Sequence, residues 1–282
     1  MNRYAWAAVF ALLGFAANSV LCRMALRAPH IDPATFTTVR LLAGAGTLWV
    51  LARVKNKTNA AGSWPSAFAL LVYAVTFSFA YVGLTTGVGA LLLFGAVQVV
   101  MIAAGFFAGE HIDRRIVVGW LVAVAGLCLL LVPGATAPPA LEALLMVIAG
   151  IAWGIYSLRG RRSSDALADT AVNFARSVPG ALFISALCWV RLSADAEGLL
   201  LAALSGSVAS GLGYAAWYAA LPRLGAIAAA NAQLSVPIIA ALAGTVLFAE
   251  PVTARLIISS VLVLGGTALA LRRGFTLAAT VK

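Results

Sequence analysis

With 282 residues, 63% of them hydrophobic and only 10% charged, and a mean hydropathy of +1.01, the chain carries more apolar surface than a water-soluble domain of its size can bury. Its formal charge of +10 is spread over many short segments, which excludes the single basic face that a nucleic-acid partner needs. What remains is a protein that lives in a bilayer.

Ten apolar stretches follow one another: 4–24, 33–53, 66–84, 88–108, 115–133, 140–158, 169–190, 198–220, 226–248 and 253–271. An α-helix rises about 1.5 Å per residue, so about twenty residues span a hydrocarbon core about 30 Å thick. The expected fold is therefore an all-α polytopic membrane protein of ten transmembrane helices. Loops this short leave no room for a soluble domain. The first stretch is too long for a signal-peptide core and lacks a small-residue cleavage site, so it is expected to stay.

Charge placement orients the chain. Apart from Arg40 and Arg176, which fall inside stretches, the basic residues sort into two sets. Arg3, Arg53, Lys55, Lys57, Arg114, Arg115, Arg159, Arg161, Arg162, Arg223, Arg272, Arg273 and Lys282 share one side, and Arg23, Arg27, Arg191 and Arg255 the other. The richer side is cytoplasmic by the positive-inside rule, which predicts that both termini are cytoplasmic. Cys22, Cys128 and Cys188 lie in or beside apolar stretches without metal spacing and read as buried small hydrophobes.

The two halves repeat. Gly14-Phe15-Ala16-Ala17-Asn18 is echoed by Gly150-Ile151-Ala152-Trp153-Gly154, Arg40 by Arg176, Tyr81-Val82-Gly83-Leu84 by Tyr218-Ala219-Ala220-Leu221, and Phe107-Ala108-Gly109-Glu110 by Leu247-Phe248-Ala249-Glu250. Residues 1–136 and 137–282 thus form two five-helix repeats. Five crossings per repeat turn the second copy upside down relative to the first. Inverted repeats enclosing a midplane site suit alternating access.

These features resemble the drug/metabolite transporter superfamily, and within it the bacterial exporters with paired EamA domains. The opening Asn18, Ser19 and Arg23 and the Trp-containing sixth helix are most similar to the aromatic amino-acid exporters. Two departures stand out. The fourth helix of such repeats often has a proline near its middle, which Pro237 supplies in the second repeat while Met101 stands at the matching place in the first. The second repeat ends in Ala249-Glu250 where the first has Gly109-Glu110. The resemblance implies a bacterial inner-membrane exporter of aromatic or large neutral amino acids, or of similar metabolites. Broad drug efflux, or efflux of threonine, a purine or a sugar derivative, is the alternative.

A solute cavity needs polar and aromatic residues near helix midpoints. Asn18, Ser78, Tyr81, Gln98, Met101, Trp153, Tyr156, Ser157, Tyr214, Trp217 and Gln233 are the candidates for substrate contact. Trp153, Tyr156 and Ser157 share a face at i, i+3, i+4, and Ser207, Ser210, Tyr214 and Trp217 form one stripe. Small residues at such spacings also serve close helix packing, and an isolated amide such as Gln98 or Asn18 also serves interhelical bonding. Arg40 and Arg176 lie about 10 Å along their helices. They read as structural or gating ties first and as carboxylate ligands second, and Pro237 as a kink in the ninth helix.

No acid falls mid-membrane. Glu110 and Glu250 stand at helix ends beside Arg114-Arg115 and Arg255 and read as solvated caps or surface pairs. Proton exchange usually uses a buried titratable group, so facilitated export down a gradient is expected. The two histidines, His30 and His111, lie in loops, and no nucleophile–base cluster suggests a membrane enzyme. No ring of like residues suggests a channel. No cofactor or metal is expected. The expected partners are a small solute and membrane lipid, with no nucleic acid, and a monomer is compatible with all of this.

Overall fold

Ten helices make up the described part of this protein, a computed structural model that covers residues 3–28, 30–55, 61–107, 113–134, 136–160, 163, 165–224 and 232–271. They are α1 (Arg3–Arg27), α2 (Pro33–Val54), α3 (Trp64–Ala80), α4 (Thr86–Phe107), α5 (Arg114–Leu131), α6 (Ala140–Gly160) and α7 (Ala166–Leu187). Then come α8, in three continuous pieces (Ala196–Leu204, Ser205–Leu212, Gly213–Leu224), α9 (Ser235–Phe248) and α10 (Ala254–Leu271). Among the described residues, α1, α2, α4, α5, α6, α8 and α10 are long and apolar enough to cross a bilayer, while α3 and α9 are shorter. The chain is a multi-pass membrane protein.

Helix starts are written into the loops. Asp32 accepts from the backbone N–H of Ala34 and Thr35, both at 2.9 Å, ahead of Pro33. Ser63 caps α3, Asp165 caps α7 and Asp195 caps α8. Such caps satisfy amide donors that water cannot reach near the hydrocarbon boundary. The outward faces are apolar, as lipid contact requires, and tryptophan sits at their ends. Trp6, Trp49 and Trp64 are exposed near one end of the bundle and Trp189 near the other. That is the distribution of interfacial anchors.

The contacts fix direction. Arg23 at the end of α1 meets the end of α3, and Arg27 donates to Phe248 at the end of α9. Arg255 at the start of α10 donates to Val132 at the end of α5. The odd helices therefore finish together, at an end here called distal, and α10 returns to the end where α1 begins. The latter is called the terminal end.

Equivalent helices of the two halves pack antiparallel. Thr38 bonds Ser185 at 2.9 Å while Gly44 lies against Phe174, which runs α2 against α7. Gly119 abuts Gly266 and Ala270, and Gly126 abuts Leu262 and Val263, which runs α5 against α10. At Gly119 a Cβ would stand 2.7 Å from the Ala270 backbone nitrogen, so only glycine permits this approach.

Three local expectations are revised. The third helix runs from Trp64 to Ala80 rather than over 66–84, which moves its midpoint toward the terminal end. Of the ninth stretch, expected as one kinked helix over 226–248, residues 226–231 lie outside the described residues, and the described part is interrupted ahead of Pro237. The chain turns at Leu234, and Pro237 occupies the first turn of α9, where its missing N–H breaks no helical bond. Of the cysteines only Cys22 is buried; Cys128 is exposed on α5 and Cys188 is intermediate, because both lie on outward-facing helix surface.

Candidate functional site

A π-helical segment, Ser205–Leu212, interrupts α8 at the middle of the bundle. Its sequence, SGSVASGL, is serine, glycine or alanine at every position except Val208 and Leu212. Gly206 lies so close to α2 that a Cβ would overlap the Arg40 carbonyl oxygen, and at Gly14 a Cβ would meet the Ala209 carbonyl oxygen at 3.3 Å. The wider winding breaks the regular stripe expected along α8. Ser207 bonds back to Ala203 at 2.7 Å, whereas Ala209 and Ser210 turn into a small central cavity. π-Segments often mark functional positions in helices.

The cavity is walled by both halves: Phe15 and Asn18 from α1, Tyr73 and Phe77 from α3, Leu93 and Phe94 from α4, Trp153 from α6, and Ala209, Ser210 and Tyr214 from α8. Rings meet across it, tilted in the Trp153 pairs and edge to face in the Phe15 pairs. The Trp153 ring centroid lies 4.9 Å from Tyr73 and 5.1 Å from Tyr214, and Phe15 bridges Tyr214 at 5.8 Å to Trp217 at 5.7 Å. Such spacings are those of favourable aromatic pairs. The space open to a water molecule's centre is about 20 Å³, room for one or two waters. An organic solute fits only if these rings part.

A polar chain runs behind the aromatic wall. Asn18 Nδ2 donates to Tyr73 Oη at 3.2 Å, Arg40 Nη2 donates to the same oxygen at 2.9 Å, and Ser205 Oγ donates to Asn18 Oδ1 at 2.6 Å. Arg40 is 1% exposed. Its guanidinium lies 5.2 Å from the Tyr73 ring centroid and 4.9 Å from that of Phe77. Among the described residues its Nε and Nη1 groups have no hydrogen-bond partner, and neither does the cavity-lining Ser210 hydroxyl. Among the described residues no carboxylate pairs with Arg40.

The candidates divide by place. Asn18, Trp153 and Tyr214 border the cavity. Tyr156, stacked on Trp153 at 5.5 Å with its hydroxyl 3.3 Å from Thr170, and Trp217 stand one layer back. Ser78 is spent on the Ala74 carbonyl and on Thr37, and Tyr81 caps the distal end of α3 with its ring 4.8 Å from Phe77. Gln98 is buried in α4, while Met101, Ser157 and Gln233 are half-buried, and none of these four borders the cavity. Arg176 departs from Arg40. It is half-buried near the terminal end, its guanidinium 5.2 Å from the ring centroid of the exposed Trp64. Pro237 is buried in α9 away from the cavity wall.

Four ring residues of the wall went unselected from sequence: Phe15, Tyr73, Phe77 and Phe94. Tyr73 is the midpoint of the true α3, and a start at Trp64, signalled by the Ser63 cap and Pro65, would have found it.

Toward the distal end from the cavity, an ion pair ties α1 to the end of α9 and the start of α4, a distal latch in form. Glu250 Oε1 accepts from Arg23 Nε at 3.2 Å and Oε2 accepts from the Thr86 backbone N–H at 2.7 Å, the first turn of α4. Arg23 Nη1 also donates to the carbonyls of Tyr81 and Val82, each at 3.1 Å. The Glu250 side chain is 10% exposed, so the expected solvated surface pair with Arg255 is corrected to a mostly buried pair with Arg23. The reason is geometric: Ala249 takes a left-handed conformation, φ 53°, that turns the chain back onto α4. Glu110 and His111 lie outside the described residues.

Beyond the latch, His30 Nδ1 and Asp195 Oδ2 stand 2.8 Å apart across the α1–α2 and α7–α8 turns, which also pair as the bridge Ile31–Ala194. The Asp195 hydrogen bond raises the His30 pKa above its ordinary value. The Gly198 backbone N–H, and then His30, lower that of Asp195. At the terminal end Arg159 donates to Ser63 and Ser66, and Asp169 accepts from the N–H groups of Ala61 and Gly62.

The sequence pattern of the EamA-like transporter family matches residues 140–272. An uncharacterized protein of Pseudomonas aeruginosa is 50% identical, over 93% of this chain and 92% of that protein. An uncharacterized transporter of Archaeoglobus fulgidus is 25% identical, over 86% of this chain and 90% of its own length. In fold the chain is similar to one solved by crystallography, with a TM-score of 0.65 and 20% identity, covering 96% of this chain and 98% of that one.

Proposed function

We propose that this chain, whose residues 140–272 match the EamA-like transporter family, exports amino acids with aromatic or large neutral side chains, or similar small metabolites, by alternating access. The observation that carries the reading is the ring-walled cavity shared by the two halves, with Trp153, Tyr73 and Tyr214 at its centre. Aromatic faces and edges suit an aromatic or branched side chain. Asn18, Ser210 and Tyr73 offer the few placed polar groups that orient a ligand in an apolar pocket.

The two antiparallel halves, with a repeat boundary near residues 136–137, would exchange conformations to open each end in turn. The chain would sit in a bacterial inner membrane with both termini cytoplasmic, so that the distal end faces out. With no acid bordering the cavity, transport would follow the solute gradient.

The test is counterflow of labelled amino acids into liposomes containing the purified protein. Accumulation of phenylalanine, tryptophan and leucine above empty-liposome background is expected, and a flat panel contradicts the substrate class. A rate that follows an imposed pH gradient without a solute gradient contradicts uncoupled export.

A further inference from the structure

Arg40 is a cation at the centre of an apolar bundle with one side-chain hydrogen bond among the described residues, to Tyr73. A guanidinium carries five N–H donors in a plane. The rings of Tyr73 and Phe77 cover its faces, which answers part of its charge. Its edge is another matter. Nε and Nη1, three of the five N–H bonds, have no acceptor among the described residues. A structural tie would look different, with an acid or helix-end carbonyls around that edge, as Arg23 has with Glu250 and the Tyr81 and Val82 carbonyls. Arg176, its counterpart by repeat, is half-buried beside an interfacial tryptophan. The charge is therefore retained at the centre in one half only. The two rings that cover it, Tyr73 and Phe77, are also walls of the cavity, and a second orphan, the Ser210 hydroxyl, lines the same space.

We infer that Arg40 is the anchor for the carboxylate of the transported solute, whose apolar body lies among Trp153, Tyr214 and Phe15. The inference rests on the cavity being the transport site. A carboxylate both neutralises the buried charge and supplies in-plane acceptors for the open edge, which a neutral carbonyl does not. Tyr73 swings with the rings as the cavity opens, bringing the guanidinium edge into contact with the guest while its hydroxyl still ties Arg40 to Asn18. The same charge repels organic cations, so the substrate class narrows to apolar carboxylates, with amino acids among them and cationic drugs excluded.

Binding to the purified full chain, followed by tryptophan fluorescence, separates these ideas. The probes are phenylalanine, 3-phenylpropionate and 3-phenylpropionamide. Wild type should bind both acids at least about tenfold more tightly than the amide. In Arg40→Gln the acid should fall to the level of the amide, the amide being little changed, and Arg40→Lys should retain part of the preference. Thermal unfolding checks that each variant is folded, and the wild-type acid-to-amide ratio stands as a test even where neither is. Equal binding of acid and amide by wild type overturns the role of Arg40 and leaves the cavity reading intact. An acid preference that survives Arg40→Gln overturns it as well. Binding of none of the three overturns both.

Discussion

If the distal latch holds the cavity shut, weakening it should expose Ser210 from that side. Glu250→Gln is the smallest perturbation. It keeps the side-chain shape, so an oxygen remains to accept from the Thr86 N–H, but it removes the charge that Arg23 and the first turn of α4 both engage. A charge-assisted bond is about twice as strong as a neutral one. Charge at a helix N-terminus contributes about 0.3–1 kcal/mol. With side chains only 15% and 10% exposed, screening is modest, and the closed state should lose about 1–3 kcal/mol in all. At about 1.4 kcal/mol per tenfold, the distally open population rises roughly 5- to 150-fold. The assay is the rate at which a membrane-impermeant maleimide labels Ser210→Cys in a background with Cys22, Cys128 and Cys188 replaced by alanine. Arg23→Met should accelerate labelling similarly, and the double variant should add little. Labelling rates equal to the parent in both single variants would refute the latch.

Other outcomes follow from the packing and the loops. Gly206→Ala, which drives a methyl into the Arg40 backbone, should destabilise the protein by about 1–3 kcal/mol. Gly46→Ala, on a helix position with nothing within 4 Å, should be neutral or stabilise by up to about 1 kcal/mol; thermal unfolding in detergent reads both. The His30–Asp195 pair should tighten the distal turns only over a window of pH. His30, its pKa raised, contributes fully below its ordinary 6.5 and loses this as pH rises through the raised value. Asp195, its pKa lowered, contributes above its ordinary 3.8 and loses this as pH falls through the lowered value. Exchange of the Asp195 amide, which donates to the His30 carbonyl at 2.8 Å, should therefore be most protected near pH 5–6 after correction for intrinsic rate, and His30→Gln should flatten the profile.

Ten helices were legible because hydrocarbon thickness constrains the length of each apolar stretch; the caps that start them, Ser63 among them, were not read. The centre was legible where a residue is both deep and unusual: Asn18, Trp153 and Tyr214 were selected and border the cavity. Tyr73 was hidden by boundaries misplaced by two residues at the start of α3 and four at its end, since a shifted boundary moves every judgement of depth. The π-segment was hidden because serine and glycine at regular spacing read equally as a packing stripe. Arg40 and Arg176 match in sequence yet part in environment, and Glu250 finds Arg23 across 227 positions. Tertiary packing decides both.

The central claim is that the ring-walled cavity is where solute is carried. Its most direct test compares phenylalanine counterflow in liposomes for wild type, Trp153→Ala and Trp49→Ala, the last removing an exposed tryptophan far from the cavity. A loss of at least about tenfold for Trp153→Ala, with Trp49→Ala unchanged, is the expected result. Equal rates in all three proteins would contradict the account.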